Sequence, residues 1–398
     1  MVDAPASCLA ALDKTASANA ATARHSAFVA KSIDATAYAA ACANAVFAPA
    51  QSPAWVAAWL RHMRPDAHLA AVVKEGLPVL AVALQVDATG PFKVARLVGG
   101  GHANGNFSPL AGHLSAQERQ QAVAALIDHI VKIRTDIDLL ALERLAPAWQ
   151  GIDNPFKSLP RTTSPNVALA IDLTGGFDAL LTRAHGNKKR KKHRYQARRL
   201  QAGGVVRRLT AKSAAETRVM LDAFFDMKSG RLRKLGVANV FGGTDIQAFF
   251  RNLFAEAAES ADPAFLLEAL EVGGKLRAVT GSSRSGDRLI CDFAAIADDE
   301  LLIASPGDYL FFENIAAACG KNLAIYDFGV GDEPYKGGGG GSWCDIETEH
   351  FDVWMPMNTR GKLLAAAFSA KARLKAQVKR RPLAWRLWKA LRSRANRG

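Results

Sequence analysis

The chain has 398 residues, 49% of them hydrophobic, with mean hydropathy near zero, which provides a sizeable core in one large domain or two and excludes wholesale disorder. Its net charge of +14 is concentrated: Arg183 to Arg208 holds 11 Lys/Arg, 353–398 holds 13, neither holds an acid, and the rest is more acidic than basic. A mildly acidic body with two basic segments argues against a general nucleic-acid coat and for local contact with an anionic partner.

No run of about 18 apolar residues occurs, so no bilayer-spanning helix is expected. The Ala-rich N-terminus is interrupted by Asp3, Asp13, Lys14, Arg24 and Lys31 and lacks the unbroken apolar stretch of an export signal. Cys8, Cys42, Cys291, Cys319 and Cys344 are odd in number and scattered, with no CxxC. A disulfide framework and a zinc site are not indicated, and a cytoplasmic setting is expected.

In chain order, residues 1–45 read as a loose leader that turns helical towards Val46. Ser52-Pro53 opens a helix over Trp55 to Met63, with Pro in its first turn. Apolar runs at Leu69 to Val73, Leu77 to Val86 and Val94 to Val98, separated by Gly76 and the 87–91 turn cluster, predict a β-meander. Ala116 to Ile133 has helical periodicity, Asp136 to Leu142 reads as a strand, and Ala168 to Leu173 as another near a domain junction. The second half repeats the pattern. Helices are predicted at Phe177 to Ala184, Lys188 to Gln201, Ala214 to Leu235 and Thr244 to Glu259, with a strand at Val205 to Leu209. Strands follow at Phe265 to Val272, Lys275 to Ser283 and Arg288 to Ala297, then a helix from Ser305 to Cys319 and a strand at Leu323 to Phe328. The result is an α+β pattern repeated once, with a basic helical tail.

The densest polar cluster is Tyr326-Asp327-Phe328-Gly329-Val330-Gly331-Asp332-Glu333-Pro334-Tyr335-Lys336, a strand running into glycines, carboxylates, a phenol and an amine. Such groups serve as proton acceptor and charge stabiliser, although a polar turn has the same composition. Ser305-Pro306-Gly307-Asp308-Tyr309 opens a helix whose free N–H groups suit a pyrophosphate, or is an ordinary Pro-initiated start. The basic run Lys188 to Arg199 is a solvated face or a contact for RNA phosphate, lipid headgroups or an acidic substrate. Its single aromatic, Tyr195, argues against a base-stacking platform. The Gly/Asn loop Gly99 to Phe107 has no GxGxxG, and its His102 has no second His at metal spacing, so no metal is expected. GxSxG, HExxH and Walker A patterns do not occur.

Taken in order, Ser52-Pro53, the loop His102 to Phe107, the basic helix Lys188 to Arg199, Ser305-Pro306-Gly307, Asp327 to Lys336 and Ser342-Trp343-Cys344-Asp345 resemble a known group. They resemble the GNAT-superfamily acetyltransferases associated with cellulose and exopolysaccharide biosynthesis (the CelD/BcsL group), which are similar in turn to Fem-type aminoacyltransferases. The resemblance spans roughly Val46 to Glu349 and is most specific from the last strand to Lys336. It implies two tandem GNAT-like domains, at 46–165 and 166–352, followed by a basic amphipathic tail at 353–398. It also implies acyl-CoA, most simply acetyl-CoA, as co-substrate of the second domain and a small-molecule or glycan-precursor amine as acceptor. On this reading Asp332 or Glu333 accepts the amine proton, and Tyr335 and Lys336 stabilise the oxyanion or leaving group. Ser305, Gly307, Asp308 and Tyr309 meet the pyrophosphate, and Asp292, Asp327 and Trp343 contact substrate.

One departure is the run Gly337 to Gly341 where the family has a short, often basic link; five glycines add freedom at the expected site rim. Two rival readings stand beside the acyl-CoA enzyme. One is a Fem-type transferase whose basic helix holds aminoacyl-tRNA. The other is a non-catalytic adaptor docking a polysaccharide synthase at an anionic inner-membrane surface. In the tail, Trp385, Trp388 and Leu391 fall on one face with Arg386, Lys389 and Arg392 towards the other, the pattern of an interfacial helix.

Overall fold

In the computed structural model, which describes residues 28–331 and 343–379, the first half comprises β1 (Phe28–Ser32), α1 (Ala35–Cys42), α2 (Pro53–Met63), β2 (Asp66–Lys74), β3 (Leu77–Thr89), β4 (Phe92–Leu97), α3 (Ala116–Ile133) and β5 (Leu139–Leu145). Then come β6 (Arg161–Asp172), α4 (Gly176–Arg183), α5 (Gly186–Gln201), β7 (Val206–Thr210), α6 (Ala214–Lys234) and α7 (Thr244–Ala258). The chain continues through β8 (Phe265–Val272), β9 (Lys275–Ser285), β10 (Arg288–Ile296), α8 (Pro306–Gly320), β11 (Ile325–Val330), β12 (Ile346–Pro356) and α9 (Thr359–Lys379). Short polar side chains set several helix starts. Ser52 accepts from the Trp55 N–H ahead of α2, Ser115 and Glu118 form a reciprocal capping box on α3, and Ser213 caps α6.

These long strands form one continuous sheet in the order β1-β2-β3-β4-β5-β12-β6-β11-β10-β9-β8-β7, beside which Ala45–Val46 pairs with Leu110–Ala111. The expected repeat is present. Each half has an antiparallel meander, a helix and a returning parallel strand: β2-β3-β4-α3-β5 and β8-β9-β10-α8-β11. The parallel contacts are short. Val94 to Arg96 lie beside Leu139 to Ala141, and Arg288 to Ile290 beside Ile325 to Asp327, after which each pair parts.

The centre of the sheet corrects the expected domain limits. β6, leaving the first half, pairs with β11 of the second; β12, leaving the second half, pairs with β5 of the first; and β6 and β12 pair with each other. The boundaries at 165/166 and 352/353 therefore fall inside strands. Alternation in sequence identifies a strand but not its partner. The halves also share an apolar core. Trp55 of α2 meets Phe249 of α7 edge-on at 5.0 Å, and Trp59 does the same at 5.0 Å, within one cluster reaching from Tyr38 to Phe293.

The loose leader is likewise corrected from Phe28 onward, where β1 pairs with β2 and α1 buries Tyr38 and Cys42. Its Ala-rich composition hid these elements because few large side chains mark the buried face. The tail is corrected up to Lys379: 353–356 is strand, and α9 packs on the sheet with Phe368 stacked on Trp354 at 5.1 Å. Asn358 caps α9 and donates to Asp138, and a Cβ at Gly361 would lie 1.7 Å from the Asp138 carbonyl. Trp385 to Arg392 lie outside the described residues. No helix of the described residues is long and apolar enough to cross a membrane.

Candidate active site

The parting of β10 and β11 is built by a bulge in each strand. On β10, Phe293 faces Gly281 and Cys291 faces Ser282, so Asp292 is the extra residue. Gly281 is required there, because a Cβ would meet the Phe293 ring at 2.0 Å. On β11, Val330 faces Ala168 and Asp327 faces Ala170, which leaves Phe328 and Gly329 opposite Leu169. Gly329 takes φ +67°, a left-handed conformation suited to glycine. Bulges bend strands and leave ladder groups unpaired, which opens a mouth between β10 and β11.

A side chain from the first half enters this mouth. Asn104 Nδ2 donates to the carbonyls of Cys291 and Asp292, both at 3.2 Å, and its Oδ1 accepts from the Val330 N–H at 3.3 Å. A Cβ on Gly329 would sit 2.3 Å from that amide nitrogen, so the glycine makes room for it.

Around the mouth lie charged and titratable groups. Asp327 is buried, accepts from its own strand's Gly329 N–H at 2.7 Å, and pairs with Arg288 at 2.7 Å. His350 of β12 is buried beside Gly105, and burial holds its imidazole below the usual histidine range. Asp292 keeps some exposure as a residue, but its Oδ2 is enclosed without a hydrogen-bond partner. Burial, partly offset by the Ser283 hydroxyl and reinforced by nearby Asp327, pushes this carboxyl up to about 8. A carboxyl held near neutrality is suited to exchanging a proton with substrate.

Of the sequence-predicted residues, the structure brings Asp292 and Asp327 together at the mouth. The Ser305 to Tyr309 start of α8 lies at the same end of the sheet, because α8 leads from the far end of β10 back to the start of β11. That helix start is not a bare anion cradle. Pro306 has no N–H, and Asp308 in the first turn is held by Gln196 Nε2 at 2.9 Å and Lys192 Nζ at 3.0 Å. Ser305 sits at φ +54°, a Cβ on Gly307 would press on Ile296, and Tyr309 stacks on His193 at 4.5 Å. Trp343, expected to contact substrate, is a packed side chain. It is buried against Phe312 at 5.8 Å, with Lys189 Nζ 4.0 Å above its ring. Burial, with Asp308 pulling the other way, lowers the Lys189 amine to about 8. Asp332, Glu333, Tyr335 and Lys336, together with Gly337 to Gly341, lie outside the described residues.

Sequence reasoning missed His350, and it met Asn104, Arg288, Lys192 and Gln196 only as members of a loop, a strand and a basic run, without individual roles. The signal for Asn104 was the pair of asparagines flanking Gly105, which composition alone reads as a loop. Among the described residues no group of three or more His, Cys, Asp or Glu is arranged to hold a metal ion.

Residues 187–337 match the family model described as an acetyltransferase (GNAT) domain. The chain is similar in structure to FemX, at 12% identity and TM-score 0.57, over 85% of this chain and 99% of that one. It is also similar to the C-terminal domain of a putative lysylphosphatidylglycerol synthetase from Agrobacterium fabrum, at 12% identity and TM-score 0.50, over 85% and 95% of the two chains. A conserved protein of unknown function from Bacteroides thetaiotaomicron is a third, at 12% identity and TM-score 0.51, over 82% and 99%. No curated protein matches the sequence. The chain thus has a mixed α/β fold of two halves built alike, the second of which contains the residues that match the acetyltransferase (GNAT) domain model.

Proposed function

We propose that the chain is an N-acyltransferase that moves an acyl group from a thioester, acyl-CoA, to an amine acceptor at the mouth between β10 and β11. The observation that carries this reading is Asp292. One oxygen of its carboxyl, Oδ2, is enclosed without a hydrogen-bond partner on a bulge at that mouth, and burial raises the pKa to about 8. In the reaction the amine nitrogen attacks the thioester carbon. The C–N bond forms and the C–S bond breaks, while Asp292 takes the amine proton and returns it to the leaving thiolate. The backbone groups of Cys291, Asp292 and Val330 offer hydrogen bonds to an extended, amide-bearing donor arm. Lys192 supplies positive charge at the start of α8. The support for an acceptor in cell-envelope or exopolysaccharide synthesis is the sequence resemblance.

A second reading, an aminoacyl-tRNA donor, is favoured by one observation. The Asp308 carboxylate occupies the first turn of α8, where a pyrophosphate would be placed. Exposed Lys191, Arg194 and Arg198 on α5 would then face tRNA phosphates.

Thiol release from acetyl-CoA with a panel of amines, beside transfer from charged tRNA, separates the two donors. With the correct donor, Asp292→Asn is expected to lower kcat by about 100-fold and to abolish the rise in rate towards pH 8. An Asp292→Asn enzyme with the wild-type rate and pH profile overturns the reading.

A further inference from the structure

The two parted strand pairs are both bridged by the loop Gly99 to Phe107, but by different means. In the first half the backbone itself fills the gap. Asn106 N–H donates to the Arg144 carbonyl at 2.9 Å, and its own carbonyl accepts from Ala146 at 3.0 Å. Its side chain adds bonds to the Glu143 carbonyl at 2.9 Å and from Gln51 Nε2 at 3.0 Å, and both Asn106 and Gln51 are buried. In the second half, among the described residues, only the Asn104 side chain spans the gap, through contacts of 3.2 to 3.3 Å at the long end of the hydrogen-bond range. Asn104 is only half-buried.

We infer that Asn104 is a removable plug: its carboxamide occupies the place of a donor-arm amide and must swing out before the donor binds. This rests on the thioester reading above. A carboxamide satisfies two carbonyls on β10 and one N–H on β11, the groups that an amide of the incoming arm would use. The plug therefore keeps otherwise orphaned backbone groups paired while the site is empty. Rotation of a half-buried side chain frees them, whereas the first-half gap opens only if the main chain unzips. Gly329 is the complementary device, since a β-carbon there would already exclude the plug. The plug also makes donor affinity depend on the first half, which supplies the loop. Donor binding is weakened by the work of displacing Asn104, because only the plug-out state is competent.

The test is calorimetric binding of acetyl-CoA to the full chain, to Asn104→Ala and to Asn104→Ser, with thermal melts to confirm folding. Serine keeps a hydroxyl but is too short to span both strands, and it serves if the alanine variant does not fold. Asn106→Ala is the control in the other gap. The expected result is about tenfold tighter binding in an Asn104 variant and unchanged affinity in the control. Affinity equal to or weaker than wild type in a folded Asn104 variant overturns the plug while leaving the thioester reading intact. No binding to any of the proteins overturns the thioester reading itself, and the plug with it.

Discussion

The strand pairs β4/β5 and β10/β11 have the same topology and opposite fates. Each is parallel for three residues and then parts. In the first half the gap is sealed by main chain and by two buried amide side chains, Asn106 and Gln51. In the second it is spanned by one half-buried side chain, and it carries the enclosed carboxyl of Asp292. A repeated fold thus yields one gap sealed by main chain and one bridged by a side chain, and the second is where we place the chemistry. The difference lies in what the intervening loop places in the gap, not in the strands themselves.

The comparison is most severely tested by Asn106→Ala. This change leaves Gln51 Nε2 and the Glu143 carbonyl short of a partner in a buried setting, at roughly 1–3 kcal/mol for each unsatisfied group. We expect a loss of about 3 kcal/mol in denaturant unfolding, against 1 kcal/mol or so for Asn104→Ala. Equal losses would mean that the two bridges are equivalent.

Asp292 sharpens the contrast through pH. Its folded pKa, about 8, lies above the ordinary aspartate value of 3.8. The folded state therefore holds a proton that the unfolded chain has released. Its contribution to stability is complete below pH 4 or so and is lost as pH rises to about 8. Replacing the carboxyl with a neutral amide removes this loss, so Asp292→Asn is expected to be more stable than wild type at pH 8.5, by about 2 kcal/mol. Asp352, raised to about 6 mainly by burial, acts in the same direction and leaves the variant a residual decline between pH 4 and 6. Urea melts across pH check the sign; parallel stability curves for the two proteins would show that Asp292 ionises freely in the fold.

The smallest expected effect is that of Gly329→Ala. Its φ of +67° strains a β-carbon, and the Asn104 amide must move away. The backbone strain costs roughly 1–2 kcal/mol. If Asn104 is the plug, this variant also reproduces the gain in acetyl-CoA affinity of Asn104→Ala, and combining the two adds little. Additive gains in the double variant would show that the residues act separately.

Most of the elements were legible in the sequence because their causes are local. Ser115 with Glu118 marks the start of α3, the period of the apolar residues marks its length, and Gly273-Gly274 and Gly286 mark the turns of the second meander. The same local pattern showed that the motif is repeated. Asp327 and Asp292 were reachable as site residues because they lie in strands that a family resemblance singles out. The exchange of β6 and β12 was not legible, since pairing between residues 139–145 and 346–356 leaves no mark on either segment alone. Nor was the plug, because Asn104 meets Val330 across 226 positions of chain. Nor was the state of Asp292, because burial rather than residue type raises its pKa. Sequence by itself determined which segments are helix or strand, through propensity, capping and periodicity. Tertiary structure alone decided which strands are neighbours, which gap is sealed and which carboxyl is cut off from water, because hydrogen-bond partners and desolvation are properties of the packed chain.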